Sequence, residues 1–133
     1  MNSRDKGELA EGIILAELLK RGFIVSLPFG GAHRYDMVVE DKNGNGNLLK
    51  VQCKTGRLKD GVMEFNACSI NGFTGSRSDY RGDVDVFVVY CSDNDELYWV
   101  PVDRVGKAYG KLRVDKPKNG QSKGITWACD FRL

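Results

Sequence analysis

The run Val84-Asp85-Val86-Phe87-Val88-Val89-Tyr90 is the most apolar stretch of the chain and constrains its fold more than any other feature. Short, rich in β-branched and aromatic residues, and followed by the turn Ser92-Asp93-Asn94-Asp95, it reads as the central strand of a sheet. Other segments supply its neighbours. Residues 23–27, closed by Pro28, read as a first strand. Residues 35–40 and 48–54 read as a hairpin around the strong turn signal Asn43-Gly44-Asn45-Gly46. A turn at Lys59-Asp60-Gly61 leads into a further strand over 62–68. Residues 97–100 and 125–131 read as later strands, and 101–105 as the start of a short helix. The Gly-, Ser- and Arg-rich stretch 70–81 reads as a loop.

A helix precedes all of these. Asp5-Lys6-Gly7-Glu8 has the form of an N-terminal cap, and Leu9, Ile14, Leu15, Ala16, Leu18 and Leu19 make an apolar stripe. Glu17, Lys20 and Arg21 take the solvated side, and Gly22 ends the helix. At about 100° per residue, Glu8 and Glu11 fall on the apolar side, where a carboxylate needs a partner. Either can be the inward acid. The order of helix, meander and apolar strand predicts an α+β fold, a mixed central sheet with helices packed on it. The 133 residues make one domain.

Composition narrows the function classes. Hydrophobic residues are 41% of the chain, enough for a core. No apolar run approaches the roughly 20 residues a membrane helix needs, and the N-terminus lacks a signal-peptide core. The expectation is a cytoplasmic protein in a DNA-containing compartment, not secreted, with no membrane partner. Cys53, Cys68, Cys91 and Cys129 lack C-x-x-C spacing and there is one histidine, so zinc is disfavoured. Cys53, Cys91 and Cys129 lie in strand-like runs and are expected to be buried, reduced thiols. Net charge is only +2, but Arg104, Lys107, Lys111, Arg113, Lys116, Lys118 and Lys123 face the single acid Asp115 over residues 104–123. This distribution fits one anion-facing side.

The chemistry centres on Asp36 and Gln52-Cys53-Lys54. Gln52 and Lys54 are two apart in a strand and share a face, while Cys53 points with Val51 towards the core. A symmetric turn between Gly44 and Asn45 sets Asp36 opposite Cys53; chemistry needs a shift of one residue, so that Asp36 meets Gln52 or Lys54. A phosphodiester resists attack because it is anionic and its leaving alkoxide is poor. Mg²⁺, with Mn²⁺ as a substitute, answers both problems and takes oxygen ligands. Asp36 and Glu11 are the expected metal acids, the Cys53 backbone carbonyl a further ligand, and Gln52 a group that orients the metal or its water. Lys54 is expected to assist the attacking water. No small-molecule cofactor is implied. Arg77, Tyr80 and Arg81 in the flexible loop, and Lys107, Lys111, Arg113, Lys116 and Lys118 in the basic segment, are the candidate DNA contacts.

Glu11, Asp36, Gln52 and Lys54 resemble the PD-(D/E)XK nuclease superfamily, with helix acid, hairpin acid and acid-x-Lys in the same order. Gly7 to Gly22 followed by Tyr35-Asp36 is similar to the branch with archaeal Holliday-junction resolvases and a group I intron homing endonuclease. Val51-Gln52-Cys53-Lys54-Thr55, Arg57, Asp60-Gly61, Tyr80-x-Gly82-x-Val84-Asp85 and Val100-Pro101-Val102 resemble the intron-type group. The resemblance implies an α-β-β-β-α-β core with flanking helices, a single restriction-endonuclease-like domain over 1–133, divalent-metal cleavage of DNA, and a homodimer or homotetramer. Two positions depart from the pattern. Tyr35 stands in the proline position, and Gln52 replaces the second acid, as it does in the intron-type branch. The expected activity is site-specific duplex cleavage, with junction resolution or a catalytically inactive DNA-binding module as alternatives.

Overall fold

The computed structural model describes residues 1–40, 45–116, 119–120 and 123–133. The expected turn residues Asn43 and Gly44, and Lys118, lie outside them. Helix α1 (Ser3–Lys20) starts on Asn2, whose side-chain oxygen accepts a hydrogen bond from the Asp5 amide at 2.9 Å. The start is therefore earlier than the cap expected at Asp5. Asn is as good a capping acceptor, and Asp5 instead occupies the first turn, where a carboxylate favours the helix dipole. At the other end the amide of Phe23 bonds to Leu18 and that of Gly22 to Leu19, both at 3.1 Å, with Gly22 at φ +87°. Those crossed bonds form a Schellman closure, which turns the chain sharply into the sheet. Ala10, Ile14 and Leu18 form the buried stripe, while Leu9 and Leu19 remain exposed.

The strands are β1 (Ile24–Ser26), β2 (Met37–Glu40), β3 (Leu48–Lys59), β4 (Val62–Asn66), β5 (Cys68–Ile70), β6 (Arg77–Asp79), β7 (Val86–Cys91), β8 (Glu96–Pro101) and β9 (Tyr109–Arg113). Strand β3 organises them. Its first part pairs antiparallel with β2, residues 51–56 run parallel to β7, and residues 57–59 pair antiparallel with β4. β1 and β8 complete one sheet; β4 and β9 extend the other. At the handover stands Gly56, where an added Cβ would lie 2.6 Å from the Met63 sulfur and 3.0 Å from a Val89 methyl. Only glycine lets the two layers approach this closely.

β7 is the central strand expected from its composition, covered on both sides. Val86 and Val88 pack with Ile14, Leu18, Met37, Val39 and Val51 on the helix side. Phe87 and Val89 pack with Met63, Phe65, Tyr98, Val100 and Leu112 on the other. The layers are thus helix, main sheet and the short β4–β9 sheet. Together they make the mixed α+β, restriction-endonuclease-like architecture.

Four expectations need correction. The second core helix and the flanking helices are not formed: among the described residues α1 is the one α-helix, joined by single 3-10 turns at Val102–Arg104 and Ala128–Asp130. The segment between β4 and β7 instead folds as the β5–β6 hairpin. Asn71 explains this locally, since its side-chain oxygen accepts from the amides of Phe73 and Thr74 and competes with helical bonding. The strand expected over 125–131 is reduced to a bridge between Trp127 and Arg113 followed by a 3-10 turn. The last strand of the sheet is instead β9, in the basic segment, paired with β4. There Gly110 lies under the Phe65 ring, with no room for a Cβ. Finally, all four cysteines are free, but Cys129 is exposed rather than buried. Among the described residues no helix is long and apolar enough to cross a membrane.

Candidate active site

Asp36 immediately precedes β2, and its amide donates at 2.8 Å to the carbonyl of Val51, the residue that pairs with Met37. The register pairs Met37 with Val51 and Glu40 with Leu48, one residue off the pairing of a symmetric turn, and Asp36 lies just outside the paired residues. β2 begins only at Met37, which leaves the next outward amide of β3 without a strand partner. The Asp36 carboxylate fills that gap: its Oδ2 accepts from the Cys53 amide at 2.8 Å. The Cys53 carbonyl leaves β3 on the same edge as that amide, beside the carboxylate.

Lys54 lies two residues beyond Gln52 on the same strand face, half-buried, and its Nζ donates to the Tyr80 hydroxyl at 3.2 Å. The Cys53 side chain packs on the opposite, helix side. Burial, with Asp36 and then Glu11 nearby, pushes its thiol well above the usual range. The thiol stays protonated there and is a poor metal ligand, so the residue's useful donor is its backbone oxygen.

The helix acid nearest Asp36 is Glu11. It lies three residues before Ile14 and seven before Leu18, on the buried face of α1. With Leu27, Pro28, Gly30, Gly31, His33, Tyr35 and Asp36 it lines an open cleft of about 280 Å³. Glu8 is 68% exposed and pairs with Arg4 at 3.5 Å. Burial raises the Glu11 pKa, with smaller contributions from Asp36 and Glu8. Burial also raises that of Asp36, against the lowering effects of the Cys53 amide and Lys54. Two carboxylates that each resist ionisation in one cleft suit a cation between them. Among the described residues no three His, Cys, Asp or Glu side chains form a metal-binding group. Glu11 and Asp36 are the two acids that line the cleft.

The candidate DNA contacts are dispersed. Arg77 is exposed over the Tyr109 ring, and Arg81 donates to the Val105 carbonyl at 2.9 Å. Lys107, Lys111 and Lys116 are exposed, whereas Arg113 is half-buried and donates to the Asp60 carbonyl at 3.3 Å. Lys111 lines a shallow hollow with Arg57, Lys59, Asp60, Val62 and Glu64, which shares no residue with the carboxylate cleft. Tyr80 differs from the expectation of a surface contact: it is 5% exposed and faces Lys54. His33 has its Nε2 at 2.6 Å from the Phe29 carbonyl and its ring against Tyr35. Sequence reasoning missed Arg34, which bonds to Ser69 and Asp79 and covers the Tyr80 ring. Nothing in the sequence but its place beside Tyr35-Asp36 marked it.

The profile of the PD-(D/E)XK endonuclease family matches residues 1–133. The chain belongs to that family. The likeness expected from Glu11, Asp36, Gln52 and Lys54 therefore holds over the whole chain. Among solved structures, a bacterial homing endonuclease, I-Ssp6803I, is similar at 27% identity and a TM-score of 0.74, over 99% of this chain and 89% of that one. No protein of curated function matches the sequence. This PD-(D/E)XK chain is thus an endonuclease of a family that works with divalent metal ions.

Proposed function

We propose that the chain is a Mg²⁺-dependent endonuclease that hydrolyses duplex DNA at a specific site, in the manner of a homing endonuclease. One observation carries the reading: Asp36 and Glu11 line one cleft, and the Asp36 carboxylate is held by the amide of Cys53, between Gln52 and Lys54. The likeness to a bacterial homing endonuclease supports the substrate class. Asp36, Glu11, the Cys53 carbonyl and Gln52 would hold the cation. When bound, Mg²⁺ or Mn²⁺ neutralises the phosphodiester, activates water and stabilises the leaving oxygen.

The chain's own groups do the rest. The Cys53 amide fixes one oxygen of Asp36 and so aims the other into the cleft. Lys54 holds or deprotonates the attacking water and offsets charge on the transition state. Gln52 presents a neutral oxygen, which lowers the charge of the site by one and weakens cation affinity. Arg77, Arg81, Lys107, Lys111, Arg113 and Lys116 would hold the DNA backbone, joined by Arg57 and Lys59 of the basic hollow. A domain of this size covers little DNA, so a homodimer or homotetramer extends the site and cuts both strands.

The test is cleavage of a randomised duplex library, supercoiled plasmid and a four-way junction, with Mg²⁺ or EDTA, by wild type, Asp36→Ala and Lys54→Ala. Metal-dependent duplex cuts at one sequence, lost in both variants, are the expected result. Preferential junction cleavage would reassign the enzyme as a resolvase. DNA binding without metal and without nicking would make it an inactive module, the alternative that the neutral Gln52 keeps open.

A further inference from the structure

We propose that Tyr80 is a positioning residue for Lys54, held in place by Arg34, so that the β5–β6 hairpin sets the aim of the active-site lysine. The inference rests on the reading of Lys54 as the group that assists attack. A lysine carries a compact charge on a flexible four-carbon stem, and loses much rotamer freedom when its amine must sit at one point. Here the Nζ lies 3.2 Å from the Tyr80 hydroxyl and 4.7 Å from the ring centroid, so it meets both the polar tip and the π system.

Tyr80 is itself fixed. It is 5% exposed, and its ring meets Phe87 edge-on at 5.7 Å and 84°. The Arg34 guanidinium lies 4.1 Å from the ring centroid. Arg34 donates to the Ser69 hydroxyl at 2.6 Å and the Asp79 carbonyl at 2.5 Å, and reaches Asp83 at 3.4 Å. Ser69 and Asp79 belong to β5 and β6, and Arg34 is two residues from Asp36. One bracket therefore ties the hairpin, the approach to the metal-binding acid and the lysine together. A buried phenol hydroxyl is costly without a partner, and among the described residues its hydrogen bond is to Lys54. A ring needed only for packing would be served by phenylalanine.

The test compares wild type, Tyr80→Phe, Arg34→Lys and Lys54→Ala on a plasmid carrying the duplex selected from the randomised library. Tyr80→Phe keeps the ring, its Arg34 cover and its Phe87 contact. We expect its kcat to fall about tenfold or more, with KM and thermal midpoint at wild-type values. Arg34→Lys should show a smaller kcat loss of the same kind. Unchanged kcat in Tyr80→Phe, beside an inactive Lys54→Ala, overturns the positioning role alone. A kcat loss that follows a lowered thermal midpoint makes Tyr80 merely structural and overturns it as well. A fully active Lys54→Ala sinks the reading of Lys54, and this inference with it.

Discussion

Two aspartates make the same backbone contact at two points along one strand, and only one of them has a second acid beside it. Asp36 accepts from the Cys53 amide at 2.8 Å, just before the start of β2; Asp93 accepts from the Leu58 amide at 2.7 Å, just past the end of β7. Each closes the hydrogen-bond ladder of β3 where a partner strand stops. The surroundings differ. Asp36 is half-buried, shares a cleft with Glu11 and feels Lys54. Asp93 is exposed, and the cleft it lines holds the cations Lys6 and Arg57 but no second acid. The backbone bond is alike in both places; a second carboxylate and a nearby lysine set Asp36 apart.

The same substitution at both points tests this most sharply. Asn keeps an oxygen that can accept from the amide but removes the charge. Asp36→Asn should lose DNA cleavage by on the order of a thousandfold. Asp93→Asn should cleave within about twofold of wild type. Equal losses at the two positions would dissolve the distinction between them.

Lys54 is the next feature that Asp93 lacks. Lys54→Ala should reduce the single-turnover rate by about a hundredfold and leave DNA affinity, read by gel shift, nearly unchanged. An affinity loss without a rate loss would make it a phosphate contact instead. The structural half of the comparison predicts a smaller effect. Asp93→Ala strips the Leu58 amide of its acceptor and should cost about 1 kcal/mol in urea unfolding, with cleavage intact.

The smallest expected effect concerns Glu11. Burial and Asp36 raise its pKa in the folded chain, so the native state holds that proton more tightly than the unfolded one. Stability from this group is therefore present in acid and lost as pH rises through the raised value. Glu11→Gln escapes that loss. Without metal it should be more stable than wild type at neutral pH by less than about 1 kcal/mol, after solvent screening of a partly exposed group. The difference should close as pH falls below the ordinary carboxylate range, and thermal melts across pH would show it.

Much of this was legible in the chain itself. The helix, the β2–β3 hairpin and the central β7 follow from apolar periodicity and turn residues, which act locally. The β5–β6 hairpin was not legible, because Gly, Ser and Asn leave no period and their local side-chain bonds decide. β9 was hidden in a segment that reads only as basic, and its place depends on Gly110 fitting beneath Phe65. Tyr80 looked like a loop residue until the fold enclosed it.

By itself the sequence determined that Gln52 and Lys54 share a face, since side chains in a strand alternate with a period of two. It also determined that an acid would come inward from α1. Only the tertiary structure decided that Glu11 rather than Glu8 lines the cleft with Asp36, and that Met37 pairs with Val51. Register belongs to two strands at once, and burial belongs to a helix and the sheet beneath it. Neither is a property of any one segment of chain.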